Sequence, residues 1–349
     1  MRRLVCLVFA VLGLCWLSLV PAAGQGGRRP APPRRPVTPA TAPAPAPGPP
    51  PVEPVTEQTT IKVDVNLVTF PATVTDSDGR YVGSLRREHF TLLEDGAPQA
   101  ISLFHNEIVP VSVGIVIDTS GSMADKIDQA ADALVHFVNT IQPDDDVFLM
   151  RFAGSVELEL DFTGNRALFS EVAHRLQARG ATRLYDALAE ALEKVSHGRH
   201  HKKAVLLITD GNDTSSQIRF NEVLEMARQS EVLVYGMGIG RDEGGSFRFR
   251  RGQRRNDDRV DMGVLEAISD ATGGRAFHLE HAHRGGTDLM DQATQDVSTE
   301  LRQQYTVGYY PTNAARDGTF RNVQLRANVP GLQVRHRRGY YAPRELAAK

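Results

Sequence analysis

Five apolar runs between residues 111 and 279 constrain this chain most: VSVGIVI (111–117), DVFLMRF (146–152), AVLLIT (204–209), EVLVYGMGI (231–239) and RAFHL (275–279). They are mostly continuous rather than alternating, the pattern of parallel strands covered on both faces. Stripes at helical spacing lie between them. Ile127, Ala131, Leu134, Val138 and Ile141 form one, and Leu184, Leu188, Leu192 and Val195 form another, so each helix has one face to lay on a sheet. SVELELDF (155–162) follows the second run after a tight turn and reads as an antiparallel edge strand. The prediction is an α/β fold, a doubly wound and mostly parallel sheet over 109–304.

The flanks read differently. Residues 59–108 combine IKVDVNLVTFPATV and AISLF with the turn signals DSDG and EDGAP, which predicts a small antiparallel β segment. Residues 305–343 carry QYTVGYYP, FRNVQLRANV and LQVRHRRGYYAP, separated by NAARDG and PGL; these predict three more strands, followed by a short tail at 344–349. Each segment is too small to hold a core alone, so the two are expected to pair into one β sandwich with the α/β domain inserted between them.

The first run ends on an acid and continues as DTSGSM, placing Asp118, Ser120 and Ser122 at alternate positions. Open parallel sheets bind ligands at the carboxyl edge, where strands end and helices begin. A second run ends on Asp210 in ITDGND, and Thr182 opens the helix after ARGA. Singly, these residues also read as helix caps: Ser122 with Asp125 is close to a capping box, and Thr182 is a plausible N-cap. Together, two carboxylates and three hydroxyls are hard oxygen donors suited to Mg2+, with Mn2+ or Ca2+ as alternatives, and they offer nothing soft enough to imply zinc or copper.

DTSGS, the separate Thr182 and TDGND resemble the metal-ion-dependent adhesion site of von Willebrand factor type A domains, with all five motif positions filled by the expected residue types. The resemblance implies that Ser120, Ser122 and Thr182 are hydroxyl ligands and that Asp118 and Asp210 bind the ion directly or through water. VTDSDGRYVGSLRREHFTLLEDG before the domain and YTVGYYPTN, FRNVQLRA and RRGYYAP after it are similar to bacterial secreted proteins with a von Willebrand factor A-related domain. The resemblance covers roughly 60–343 and implies a fold and a binding mode.

Such a site favours binding over catalysis. Neutral hydroxyls cancel little of the cation's charge, so an open coordination position attracts an exposed Asp or Glu of a partner protein. A hydrolase using Ser120 or Ser122 is the alternative, but TSGSM is not G-x-S-x-G and no histidine adjoins it. A structural scaffold for envelope assembly is a further alternative. The stretch 241–259 carries Arg248, Arg250, Arg251, Arg254 and Arg255 beyond the fourth strand, on the same edge as the proposed ion; it is either a solvated loop or a partner-binding cluster. His278, His281 and His283 have spacings open to a transition metal, although solvated loop histidines are the commoner outcome.

The N-terminus has the order of an export signal over residues 1–24: Arg2 and Arg3, an apolar run from Leu4 to Val20, then Ala22, Ala23 and Gly24. This predicts a secreted or periplasmic protein, with membrane attachment only if the segment stays uncleaved. The two cysteines, Cys6 and Cys15, both lie in this segment, so the mature chain is expected to have no thiols or disulfides. Residues 25–58 are rich in Pro and Ala and read as an extended spacer. Among 349 residues, 40 basic side chains against 42 acidic ones give no global pull toward nucleic acid or anionic membrane.

Overall fold

The computed structural model describes residues 67–106, 108–242, 259–279 and 286–344. The export-signal segment, the spacer, the five arginines of 248–255, and His281 and His283 lie outside the described residues. Among the described residues, no helix is long and apolar enough to cross a membrane.

The first strands are β1 (Val68–Thr75), β2 (Phe90–Glu94), β3 (Ala97–Gln99) and β4 (Ile101–His105). The α/β part follows as β5 (Val111–Asp118), α1 (Ile127–Thr140), β6 (Asp146–Phe152), β7 (Val156–Thr163), α2 (Arg166–Ala173), α3 (Leu184–Ser196), β8 (Lys202–Thr209), α4 (Phe220–Gln229) and β9 (Val232–Ile239). Beyond it come the short β10 (Arg241–Asp242) and β11 (Arg259–Val260), then α5 (Met262–Thr272), β12 (Ala276–Leu279) and α6 (Gly286–Arg302). The chain closes with β13 (Tyr305–Tyr309), β14 (Phe320–Ala327), β15 (Gln333–His336) and β16 (Gly339–Tyr341).

The central sheet has the order β12-β9-β8-β5-β6-β7, parallel except for the edge strand β7, which runs antiparallel to β6. Every residue of β5 and β9 is buried, as continuous apolar strands require. The helical stripes cover the two faces. Leu134, Phe137 and Val138 of α1, Phe169 of α2 and Val297 and Leu301 of α6 pack on one side. Leu184, Leu188 and Leu192 of α3, Val223 of α4 and Leu265 and Ile268 of α5 pack on the other. Gly114, in the middle of β5, is there for space: a Cβ on it would meet the Phe148 ring at 2.4 Å.

The flanking strands form two further four-stranded sheets, β15-β1-β13-β4 and β16-β14-β2-β3, each drawing strands from before and after the α/β part. They share one core that includes Phe70, Leu92, Tyr305, Tyr309 and Leu325. The last segment differs from the expected three strands, because LQVRHRRGYYAP splits in two. Arg337 and Arg338 break it, with Arg337 donating to the Thr69 carbonyl at 2.9 Å and the Arg338 carbonyl accepting from Val323 N–H at 2.9 Å. The chain thereby crosses from one sheet to the other.

Candidate functional site

Asp118 ends the central strand β5, and the parallel pairing of Ile117 with Ile208 brings it level with Thr209 at the end of β8. Asp118 is fully buried. Its Oδ1 accepts the Ser120 N–H at 2.8 Å and its Oδ2 accepts the Thr209 hydroxyl at 2.6 Å. Burial pushes its carboxyl up to about 6, against the opposing pull of these hydrogen bonds.

The chain then turns through a 3-10 segment, Gly121–Asp125, with Ser120 at its start. Ser122, expected to form a capping box with Asp125, lies inside this turn and not at its N-cap, and its hydroxyl bonds across the site. The Ser120 and Ser122 hydroxyls hydrogen-bond each other at 3.1 Å, and the Ser122 hydroxyl donates to Asp210 Oδ1 at 2.8 Å. The other oxygen of Asp210, Oδ2, accepts the Lys126 ammonium at 2.7 Å.

Thr182 reaches the same place from a third loop. Gly121 N–H donates to the Gly180 carbonyl at 3.1 Å, and Arg179 N–H to the Thr119 carbonyl at 2.6 Å, which ties the loop before α3 to the end of β5. Gly180 has φ +97°, a conformation that favours glycine. The loop after β8 then clamps the start of α3. The Thr182 carbonyl accepts Thr214 and Ser215 N–H groups at 2.9 and 3.1 Å, and Asp213 Oδ1 accepts Leu184 N–H at 2.9 Å. Asp213 therefore does the capping that the sequence offered to Thr182. Thr182 is buried, and a Cβ on Gly211 would lie 3.8 Å from its hydroxyl and 3.9 Å from that of Ser122, so both hydroxyls face the bare Gly211 backbone.

The structure thus brings Asp118, Ser120, Ser122, Thr182 and Asp210 to one edge of the sheet. Among the described residues no three His, Cys, Asp or Glu side chains gather as a metal cluster; the donors here are two carboxylates and three hydroxyls. This donor set suits a small hard cation. On the loop of Asp210, Asn212 Oδ1 is buried without a hydrogen-bond partner.

Sequence reasoning passed over Lys126, Thr209 and Asp213. Thr209 and Asp213 flank Asp210 in TDGND, and a strand-end hydroxyl beside an acid was their only signal. His278 does not belong to the cluster: on β12, its Nε2–H donates to the Gly240 carbonyl at 2.7 Å.

The model of the von Willebrand factor type A domain matches residues 113–212, a span that contains all five positions. The chain is similar to inter-alpha-trypsin inhibitor heavy chain H3 of Bos taurus, 28% identical over 160 residues, which is 41% of this chain and 17% of that protein. It is also similar to an uncharacterized protein of Borreliella burgdorferi, 24% identical over 197 residues, covering 51% of this chain and 58% of that protein. In both cases the match spans less than two thirds of the relative's length. Among solved structures, a von Willebrand factor type A protein from Catenulispora acidiphila aligns with TM-score 0.46 and 15% identity, over 78% of this chain and 73% of that one. An aerotolerance-related membrane protein from Bacteroides fragilis aligns with TM-score 0.44 and 19% identity, over 55% of this chain and 98% of that one. With the family match running from the first central strand to the loop of Asp210, and that strand at the heart of a doubly wound sheet, residues 113–212 are similar to a von Willebrand factor type A domain, in an α/β fold of that kind to which antiparallel sheets are added.

Proposed function

We propose that this protein is an exported, divalent-cation-dependent binding module that captures an acidic side chain of a partner protein. The observation that carries the reading is the convergence of two buried carboxylates and three hydroxyls from three separate loops at one edge of the sheet. Asp118, Ser120, Ser122, Thr182 and Asp210 would hold the ion. Once bound, it supplies a positive centre with a coordination position open to a carboxylate. Export is supported by the signal-like order of residues 1–24, and the near-neutral charge balance gives no support to nucleic acid as a partner.

Hydrolysis is less well supported by the same geometry. The Ser122 hydroxyl faces Asp210, but the other oxygen of that carboxylate is already taken by the Lys126 ammonium. Among the described residues, no histidine hydrogen-bonds either serine.

A cation that ties three loops together stabilises the fold by mass action, by about 4 kcal/mol when present at about 1,000 times its dissociation constant. Mg2+ or Mn2+ is therefore expected to raise the thermal midpoint, and Asp118→Ala to abolish the rise. An identical rise in the variant would remove the site.

A further inference from the structure

Asp210 has both oxygens engaged, by groups of different character. Its Oδ1 is held by a neutral hydroxyl, that of Ser122, which can turn a lone pair toward a cation and remain in place. Its Oδ2 is held by the Lys126 ammonium at 2.7 Å, which has three donors and no lone pair. The lysine side chain is only 14% exposed and the carboxylate is fully buried, so this is an interior ion pair. Its position is built by the turn. Lys126 N–H donates to the Met123 carbonyl at 2.9 Å, closing Gly121–Asp125, and Ala130 N–H donates to the Lys126 carbonyl at 2.9 Å, opening α1. Lys126 thus stands four residues beyond Ser122, at the junction of turn and helix, with its side chain over the site.

Resting on the reading that a divalent cation binds here, we propose that Lys126 is an exchangeable internal counter-ion. It holds Asp210 in the metal-free protein, and its ammonium must leave Oδ2 when the ion enters. Two requirements meet at this lysine. A buried carboxylate stripped of its counter-charge destabilises the fold, so the metal-free protein needs Lys126. A divalent cation and an ammonium on one buried carboxylate repel each other strongly, so the metal-bound protein is better without it. The lysine therefore lowers cation affinity. It sets a threshold concentration below which the site stays closed by its own charge, while protecting the metal-free chain from the penalty of an unpaired acid.

The test is Mn2+ binding by titration calorimetry at neutral pH, with Lys126→Met, Lys126→Arg and Asp118→Ala beside the wild type. Lys126→Met is expected to bind Mn2+ more tightly by about tenfold or more, which is about 1.4 kcal/mol. Its metal-free thermal midpoint should fall below that of the wild type, with the gap closing in saturating Mn2+. Lys126→Arg, which keeps the charge, should stay near the wild type. In the wild type itself, the Lys126 amine should react faster with an acetylating reagent in Mn2+ than in chelator, as read by mass spectrometry; this measurement does not depend on the variant folding. Unchanged or weaker Mn2+ affinity in Lys126→Met, or acetylation insensitive to Mn2+, overturns the counter-ion role. The cation reading survives that result if the wild type binds Mn2+ and Asp118→Ala does not. If neither the wild type nor Lys126→Met binds Mn2+, both fall.

Discussion

Glu300 and the Asp118–Asp210 pair are equally buried, yet they are satisfied by different kinds of donor. Glu300, near the end of α6, sits where the α/β part meets the β sandwich. It forms an ion pair with Arg335 of β15 and accepts hydrogen bonds from Thr73 of β1 at 3.1 Å, Tyr235 of β9 at 3.0 Å and Tyr81 at 3.3 Å. Gln304 joins the network by donating to Thr73 and Tyr235. Burial, aided by the Glu300 charge, pushes both phenols well above the ordinary tyrosine range, which keeps them as donors. The donors come from separate packed elements, and the strongest are groups such as a guanidinium and phenols held in fixed positions. At the sheet edge the donors are small hydroxyls, one backbone N–H and one lysine on a flexible stem. Burial of charge therefore does not by itself mark a binding site. Whether the donors can give way to a cation does.

The contrast breaks most visibly at Glu300. Glu300→Ala leaves the Arg335 guanidinium without its carboxylate and is expected to destabilise the protein by about 3–5 kcal/mol in urea unfolding. If the proposed site binds Mn2+, the variant should bind it as the wild type does, since among the described residues no hydrogen bond links the Glu300 cluster to the proposed ligands. A loss below about 1 kcal/mol would place the cluster among weak, solvent-screened pairs and not among structural locks.

A smaller effect is expected at Thr209, which belongs to the sheet edge but is fully buried. Its hydroxyl donates to Asp118 Oδ2 and accepts Gly211 N–H at 3.2 Å. Thr209→Val strands both groups and should cost about 1–3 kcal/mol without metal. Saturating Mn2+ should recover part of that loss, because the cation takes over the charge of Asp118; no cation can do this for Glu300→Ala. Equal recovery in both variants, or none in either, would erase the distinction.

How legible these two places were follows from where their partners come from. The central strands could be read directly, because a run such as VSVGIVI, buried on both faces, has to be continuously apolar. That Asp118, Ser120, Ser122 and Asp210 lie together at one edge could be read too, since acids at the ends of two apolar runs and serines at alternate positions are local signals; Thr182 carries no such local signal and joins them through the loop before α3. Lys126 could not be read: a lysine at the start of a helix looks like a solvated charge, and its burial is decided by Asp210, 84 residues away. Glu300 was equally hidden. In DVSTELRQQ it resembles a solvent-facing helix residue, and only the arrival of β15 and β1 from distant parts of the chain encloses it. The split of LQVRHRRGYYAP into β15 and β16 escaped for the same reason, because the strand preference is continuous while the available partners lie in two different sheets. The arginine cluster of 248–255 lies outside the described residues and stays an expectation of the sequence.

Ser122 gives the smallest expected change in stability and the sharpest separation of the two regions. Its hydroxyl links Ser120 to Asp210, in a part-buried position where water can replace it. Ser122→Ala removes both bonds, but with water taking its place it should lower metal-free stability by only about 1 kcal/mol. Cation binding has no such substitute, because the hydroxyl stands between two other proposed ligands and is held there by the turn, whereas a freely placed water is not. Mn2+ affinity is expected to fall by about tenfold to a hundredfold, the range seen when groups that fix a metal site are removed. Calorimetric titration and urea unfolding on the same preparation separate the two quantities. A large stability loss with intact Mn2+ affinity would make Ser122 a structural hydroxyl like Thr73, and the sheet edge would then be a second closed network resembling the one around Glu300.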